Sequence, residues 1–161
     1  MRHRVVDSPL GPITLVVAAD GQLTGCYLEG QTHLPPPAAL GDADPSVAPE
    51  AVRQLAEYFA GTRRDFELLL APTGTDFQQR VWRALAEIPY GRTQTYGDLA
   101  RRINCGSARA VGAATGLNPI SIIVPCHRLV GAGGELIGYA GGLGRKRWLL
   151  DLEAAQGSTR A

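Results

Sequence analysis

A thiol, an imidazole and a guanidinium follow one another at Cys126-His127-Arg128. The apolar run Ile122-Ile123-Val124 leads into them through Pro125. The run reads as buried and extended. Proline fixes its own φ, offers no backbone donor and biases the residue before it away from helix. Cys126 therefore emerges at a stiff exit from the core, beside ionisable groups. In such a setting a thiol pKa can fall from about 8.5 and the thiolate can act as a nucleophile. A free thiol near neutral pH is only a few per cent thiolate, so a base is needed. Adjacent side chains diverge along an extended backbone, which makes a bridging water the more natural route from His127 to the thiol. The competing reading is an unreactive buried cysteine with a surface His-Arg pair.

Several elements must position this group. Arg2–Val6, Ile13–Ala19 and Leu23–Leu28 read as strands, with Asp20-Gly21 a hairpin turn. Residues 31–49, with Pro35-Pro36-Pro37, read as a surface loop. An amphipathic helix covers residues 50–60 and stops at Gly61. Residues 66–70 suggest another strand, and Ala71-Pro72-Thr73-Gly74 a boundary between domains 1–72 and 73–161. Thr75 and Gln78 have capping-box spacing, opening a helix with Phe77, Val81, Leu85 and Ile88 on one face. Thr95 and Ser107 can cap two further short helices joined by Asn104-Cys105-Gly106-Ser107, a helix-turn-helix pattern. The second of these carries Ala108, Arg109, Ala110, Gly112, Ala113 and Ala114. That composition fits tight helix packing, or close approach to a phosphate backbone with one cation projecting. A last helix spans residues 145–153, and the polar residues after Glu153 read as frayed.

Charge divides the chain. Residues 1–76 hold 5 arginines against 10 acidic residues, whereas residues 77–161 hold 11 cations against 5 acidic residues. The second half therefore suits a polyanion partner. The bias to arginine, with Lys146 the only lysine, is read as compositional. Cys26, Cys105 and Cys126 have no metal-like spacing. The polar start at Met1-Arg2-His3-Arg4 and the lack of a long apolar run predict a cytoplasmic chain with reduced thiols and no membrane segment.

Pro125-Cys126-His127-Arg128, with Arg109-Ala110-Val111-Gly112 before it and Gly138-Tyr139-Ala140-Gly141-Gly142 and Leu149-Leu150-Asp151-Leu152-Glu153 after it, resembles the O6-alkylguanine-DNA alkyltransferases. The resemblance is dense from Thr75 to Glu153 and weaker before, chiefly at Asp7-Ser8-Pro9-Leu10-Gly11. It implies an N-terminal α/β domain, a small antiparallel sheet with a helix, RNase H-like. A mostly α C-terminal domain with a winged-helix-like helix-turn-helix would follow. It implies a monomer that flips O6-alkylguanine, and O4-alkylthymine, out of double-stranded DNA and takes the alkyl group irreversibly onto Cys126.

The family's relay would run Cys126–water–His127–Glu153, with Asn118 bracing it and Tyr96 donating to the guanine ring. Arg109 would fill the vacated space, on a helix whose Ala108, Ala110 and Gly112 suit a minor groove. Ser121, Leu129, Tyr139 and Ala140 would join Tyr96 in the substrate pocket. Ser121 and Ala140 stand where relatives carry proline and serine. His3, Cys26 and His33 do not match the zinc positions of some relatives, so neither metal nor cofactor is expected. The alternatives are a DNA-binding protein with an inert cysteine and a cysteine hydrolase.

Overall fold

The computed structural model describes residues 1–157. It divides into two compact units: Met1–Thr73 with Pro119–Ser121, and Gly74–Asn118 with the chain from Ile122 on.

In the first unit, β1 (Arg2–Val6), β2 (Ile13–Val17) and β3 (Leu23–Leu28) form an antiparallel meander. Ile13, Leu15, Cys26 and Leu28 on β2 and β3 are fully buried, whereas Val5 on β1 faces solvent. Gly21 takes φ 85° in the β2–β3 turn, a conformation without steric cost for glycine. The predicted loop of residues 31–49 contains two short elements, a 3₁₀ turn at Pro37–Leu40 and β4 (Asp42–Ala43). β4 adds to the edge of β1 in parallel, completing the order β3-β2-β1-β4. Two residues carry no periodicity, so the sequence offers no sign of it.

Helix α1 (Pro49–Phe59) ends in a Schellman motif. Gly61, at φ 79°, donates to Tyr58 O and Thr62 donates to Glu57 O. The expected strand at residues 66–70 does not form. Only Leu70 bridges to Leu23, and Glu67 is held instead by the buried Gln54 amide, which bonds both its N–H and its C=O. The pairing with β3 is confined to Leu23, which donates to Leu69 O and accepts from Ala71 N, too short a stretch to make a strand, and Leu69 faces solvent. Pro119–Ser121 runs beside β3, exchanging bonds with Cys26 N–H and C=O.

The second unit opens on the predicted capping box. Thr75 Oγ1 accepts from Gln78 N, and Gln78 Oε1 accepts from Thr75 N. Such a cap contributes about 1 kcal/mol. It starts α2 (Asp76–Ala86), which buries Val81, Trp82, Ala84 and Leu85. α3 (Tyr96–Arg102) and α4 (Ala108–Gly116) are capped by Thr95 and Ser107 as expected. Asn104, at φ 57°, closes α3: its N–H and that of Cys105 return to Arg101 O and Ala100 O. Trp82 Nε1 donates to Ala114 O at 2.9 Å and holds the end of α4 against α2.

A two-residue parallel pairing ties the unit together. β5 (Gln94–Thr95) pairs with β6 (Leu129–Val130). It sets Tyr96, at the start of α3, beside the chain leaving Cys126-His127-Arg128. The last helix, α5 (Leu143–Gly157), is longer at both ends than the predicted 145–153. Residues 154–157 are therefore helical rather than frayed, and the rest of that expectation lies outside the described residues. No helix among the described residues is long and apolar enough to cross a membrane.

Candidate active site

Cys126 begins a 3₁₀ turn, Cys126–Arg128, all three residues of which are buried. Pro125 sits at φ −81°, ψ 65°, and Cys126 N donates to Val124 O. This is an inverse γ-turn, which proline's fixed φ favours. Just upstream, Ile122 is held at φ 71°, a strained conformation for a β-branched residue. The backbone here is tightly turned, not extended, yet consecutive side chains still diverge, because a 3₁₀ helix turns one third of a revolution per residue.

His127 is fully buried and its Nε2 lies 2.7 Å from Glu153 Oε2. Arg128 clamps the same carboxylate, Nε to Oε1 at 2.9 Å and an Nη to Oε2 at 3.1 Å, while its other Nη donates to Ile88 O. Gly91 N–H adds a further contact at 3.3 Å. Burial opposes ionisation of Glu153, but the His127 hydrogen bond and the Arg128 fork outweigh it and hold the carboxyl at about 2. Burial likewise pushes the His127 pKa down, against the pull of Glu153. The resting pair is thus a carboxylate and a neutral imidazole. Glu153 accepts only, so Nε2 carries the proton and Nδ1 carries the lone pair. Nδ1 is buried and has no hydrogen-bond partner among the described residues. The imidazole is poised as a base.

The thiol departs from expectation. Burial pushes the Cys126 pKa up, more than the Asn118 hydrogen bond and the Lys146 charge pull it down. The neighbouring guanidinium gives little help because its charge is spent on Glu153. Cys126 therefore rests as a thiol, and only a base beside it could turn it into a thiolate.

Asn118, buried at the end of α4, donates from Nδ2 to Val124 O at 3.0 Å and so braces the γ-turn. Tyr96, Ala108, Arg109, Gly112, Ile137 and Gly138 line a cavity of about 380 Å³. Burial, then the Cys126 thiol, raise the Tyr96 pKa, so its hydroxyl is a donor. Gly112 passes under the Tyr96 ring, where a Cβ would make ordinary contact at 3.7 Å. Ala108 and Arg109 face solvent while Val111, Ala114 and Thr115 face inward, and Ala110 is half-buried. Arg109 has no hydrogen bond or ion pair among the described residues.

The remaining expected pocket residues are not among that lining. Leu129 is fully buried in β6 and Tyr139 and Ala140 are half-buried. Ser121 is buried in the first unit, its N–H on Cys26 O and its Oγ on Gln31 Oε1 at 3.5 Å. Two residues take roles that the sequence did not assign to them. Arg128 holds Glu153 ionised, and Lys146 is a buried ammonium on the Ile137 and Gly138 carbonyls. A lone lysine in an arginine-rich chain was the available signal for the second. No group of three or more His, Cys, Asp or Glu that could hold a metal occurs among the described residues.

Both depressed pKa values act on stability in one direction. Each group favours the folded state above its unfolded pKa, and that contribution fades as protonation of the unfolded chain draws the equilibrium toward it. We expect Tm to fall below pH 6.5, the ordinary histidine value, and again between 4.5 and about 2 as the Glu153 contribution is lost. Thermal melts across that range check it. A Tm flat from pH 7 to 4 would contradict a buried neutral His127.

Two family models match the chain. The 6-O-methylguanine DNA methyltransferase ribonuclease-like domain covers residues 1–72 and the DNA binding domain of the same family covers residues 76–155. The methylated-DNA–protein-cysteine methyltransferase of Mycobacterium leprae is 50% identical over 95% of this chain and 92% of its own. That of Methanosarcina acetivorans is 46% identical over 96% and 99%. The crystal structure of Mycobacterium tuberculosis OGT in complex with DNA superposes with a TM-score of 0.88 at 49% identity, covering 97% of this chain and 94% of that one.

Proposed function

The chain belongs to the 6-O-methylguanine DNA methyltransferase family, and on that premise we propose that it repairs alkylated DNA by moving the alkyl group to its own Cys126. The observation that carries the reading is the hydrogen bonding around His127. Its Nε2–H is locked on an ionised Glu153 and its Nδ1 lone pair is buried and unpartnered, one residue from a buried thiol.

Duplex DNA carrying O6-alkylguanine docks on the exposed small-residue face of α4. The alkyl carbon is enclosed in the base stack, so the nucleotide must be turned out to meet Cys126. Arg109, exposed and unpaired at the mouth of the Tyr96 cavity, occupies the space it leaves. The Cys126 proton passes by a bridging water to His127 Nδ1, and Glu153 stabilises the resulting imidazolium. The thiolate then attacks the alkyl carbon in line. An S–C bond forms, the C–O6 bond breaks, and the electron pair goes to guanine. Tyr96 Oη donates its proton to the ring and spares it a full negative charge.

The product is a thioether with no hydrolytic exit, so each molecule acts once. O4-alkylthymine presents the same alkyl–oxygen bond and is a second substrate on this reading. Incubation with duplex DNA containing O6-methylguanine should restore guanine and methylate the protein. DNA left unchanged would overturn the proposal.

Arg109 separates docking from chemistry. Arg109→Ala should lower transfer from duplex DNA by about tenfold or more, while reaction with free O6-methylguanine stays near native, because only the duplex requires extrusion. Equal losses on both substrates would give Arg109 a direct chemical role. Duplex binding should also weaken with salt as phosphate contacts release counterions.

A further inference from the structure

Lys146 is the only lysine in the chain, and on α5 its side chain is fully buried. Its Nζ donates to Ile137 O at 3.2 Å and to Gly138 O at 3.1 Å. Among the described residues no carboxylate pairs with it. Removing an ammonium from water without a counter-ion is expensive, and burial brings its pKa down to about 8 against a small upward pull from Cys126. Methionine would fill the same volume without that penalty, so packing alone does not account for an amine here.

The two carbonyls are shared. Tyr96 Oη donates to the same Ile137 oxygen at 3.0 Å, with Gly138 O at 3.5 Å, and Nζ lies 5.9 Å from the Tyr96 ring centroid. Tyr96 has one proton to give. It cannot serve the loop and a base at once. Ile137 O has two lone pairs, and Lys146 occupies one of them. We propose that Lys146 is a positioning residue: it keeps the Ile137 and Gly138 carbonyls hydrogen-bonded while the Tyr96 hydroxyl leaves them for the bound guanine. This rests on the alkyl-transfer reading, in which Tyr96 donates to the ring. Without Lys146, departure of Tyr96 leaves the Ile137 and Gly138 carbonyls short of a protein donor, a penalty on the order of threefold to tenfold in rate. Tyr96 then stays on the loop.

Coupling between the two residues is the test. Single-turnover methyl transfer from duplex DNA carrying O6-methylguanine is measured for the native chain, Tyr96→Phe, Lys146→Met, Lys146→Arg and the double variant Lys146→Met/Tyr96→Phe. Lys146→Met should slow transfer by about threefold to tenfold, and Lys146→Arg should recover most of the loss. Tyr96→Phe should have little further effect in the Lys146→Met background. Additive losses would overturn the proposal and assign Lys146 to the thiolate's charge instead. A native rate in Lys146→Met, or no recovery with arginine, would overturn it too. Should Lys146→Met not melt cooperatively, Lys146→Gln takes its place in the cycle.

A second readout needs no substrate. With one lysine, ¹³C-lysine labelling yields a single ε-methylene signal. It should titrate near a pKa of about 8 and shift in Tyr96→Phe. A signal indifferent to Tyr96→Phe would remove the shared carbonyl. If the lysine signal behaves as expected but the native chain transfers no methyl, the alkyl-transfer reading fails and the lysine contact stands.

Discussion

Cys126→Ala will bind alkylated duplex DNA and accept nothing from it. The loss is complete because no other thiol can substitute. Cys26 is sealed in β3, fully buried under the core of the first unit. Cys105 sits in the turn between α3 and α4, its Sγ on Ser107 O, with no base beside it. Binding survives because the expected contacts come from Arg109 and the small residues of α4, while Cys126 is buried and the substitution removes only one sulfur. The check is paired: duplex affinity by anisotropy, and methyl transfer by label retained on protein. Residual transfer in Cys126→Ala would place the acceptor elsewhere. Loss of binding together with transfer would show the variant to be misfolded or the docking face to be misassigned.

His127→Gln will slow transfer by about a hundredfold to ten-thousandfold, the usual worth of a positioned base, and will displace the pH profile toward alkaline values. The sign follows from two shifts. Burial lowers the His127 pKa, so in the native chain the imidazole is neutral at neutral pH and can take the thiol proton. Burial raises the Cys126 pKa, so without the base the thiolate appears only at alkaline pH. The native rate should be nearly level from pH 6.5 to 8.5, and the variant rate should climb about tenfold per pH unit across the same range. Glu153→Gln should show the same alkaline displacement with an added cost. It leaves the Arg128 guanidinium buried and uncompensated, worth about 3–5 kcal/mol. Rates in that variant are therefore compared below its own Tm. A profile parallel to native in His127→Gln would remove the imidazole from the proton path.

The parts that were legible in the sequence are those with local physics. The Thr75 capping box, the Thr95 and Ser107 caps, the Asp20-Gly21 turn and the strands Arg2–Val6 and Leu23–Leu28 are each specified by a few neighbouring residues, and all stand as read. What escaped depends on partners distant in sequence. β4, β5 and β6 are two residues each, too short to alternate, and exist only because another strand lies alongside. The strand expected at residues 66–70 shrinks to a single bridge at Leu70, with Glu67 held by the Gln54 amide, which no periodicity reveals.

The site divides in the same way. The Cys-His pair and Glu153 were visible through their motif, and the structure brings His127 and Glu153 together at 2.7 Å. The charge states were not visible. Adjacency in sequence suggested that Arg128 would depress the thiol pKa, but the fold turns that cation onto Glu153 and leaves Cys126 dominated by burial. The burial of Lys146 was not legible for a related reason: a lysine near the start of a helix ordinarily faces water, and only tertiary packing places this one on the Ile137 and Gly138 carbonyls.

The central claim is that one alkyl group comes to rest on one sulfur, and intact-mass analysis followed by peptide mapping tests it most directly. Native protein mixed with excess duplex DNA containing O6-methylguanine should gain a single CH₂ unit per chain, carried by the peptide that holds Cys126, and repaired guanine should match the protein in amount. Repaired guanine in large excess over protein, an unchanged protein mass, or a methyl group mapped to Cys26 or Cys105 would each contradict it.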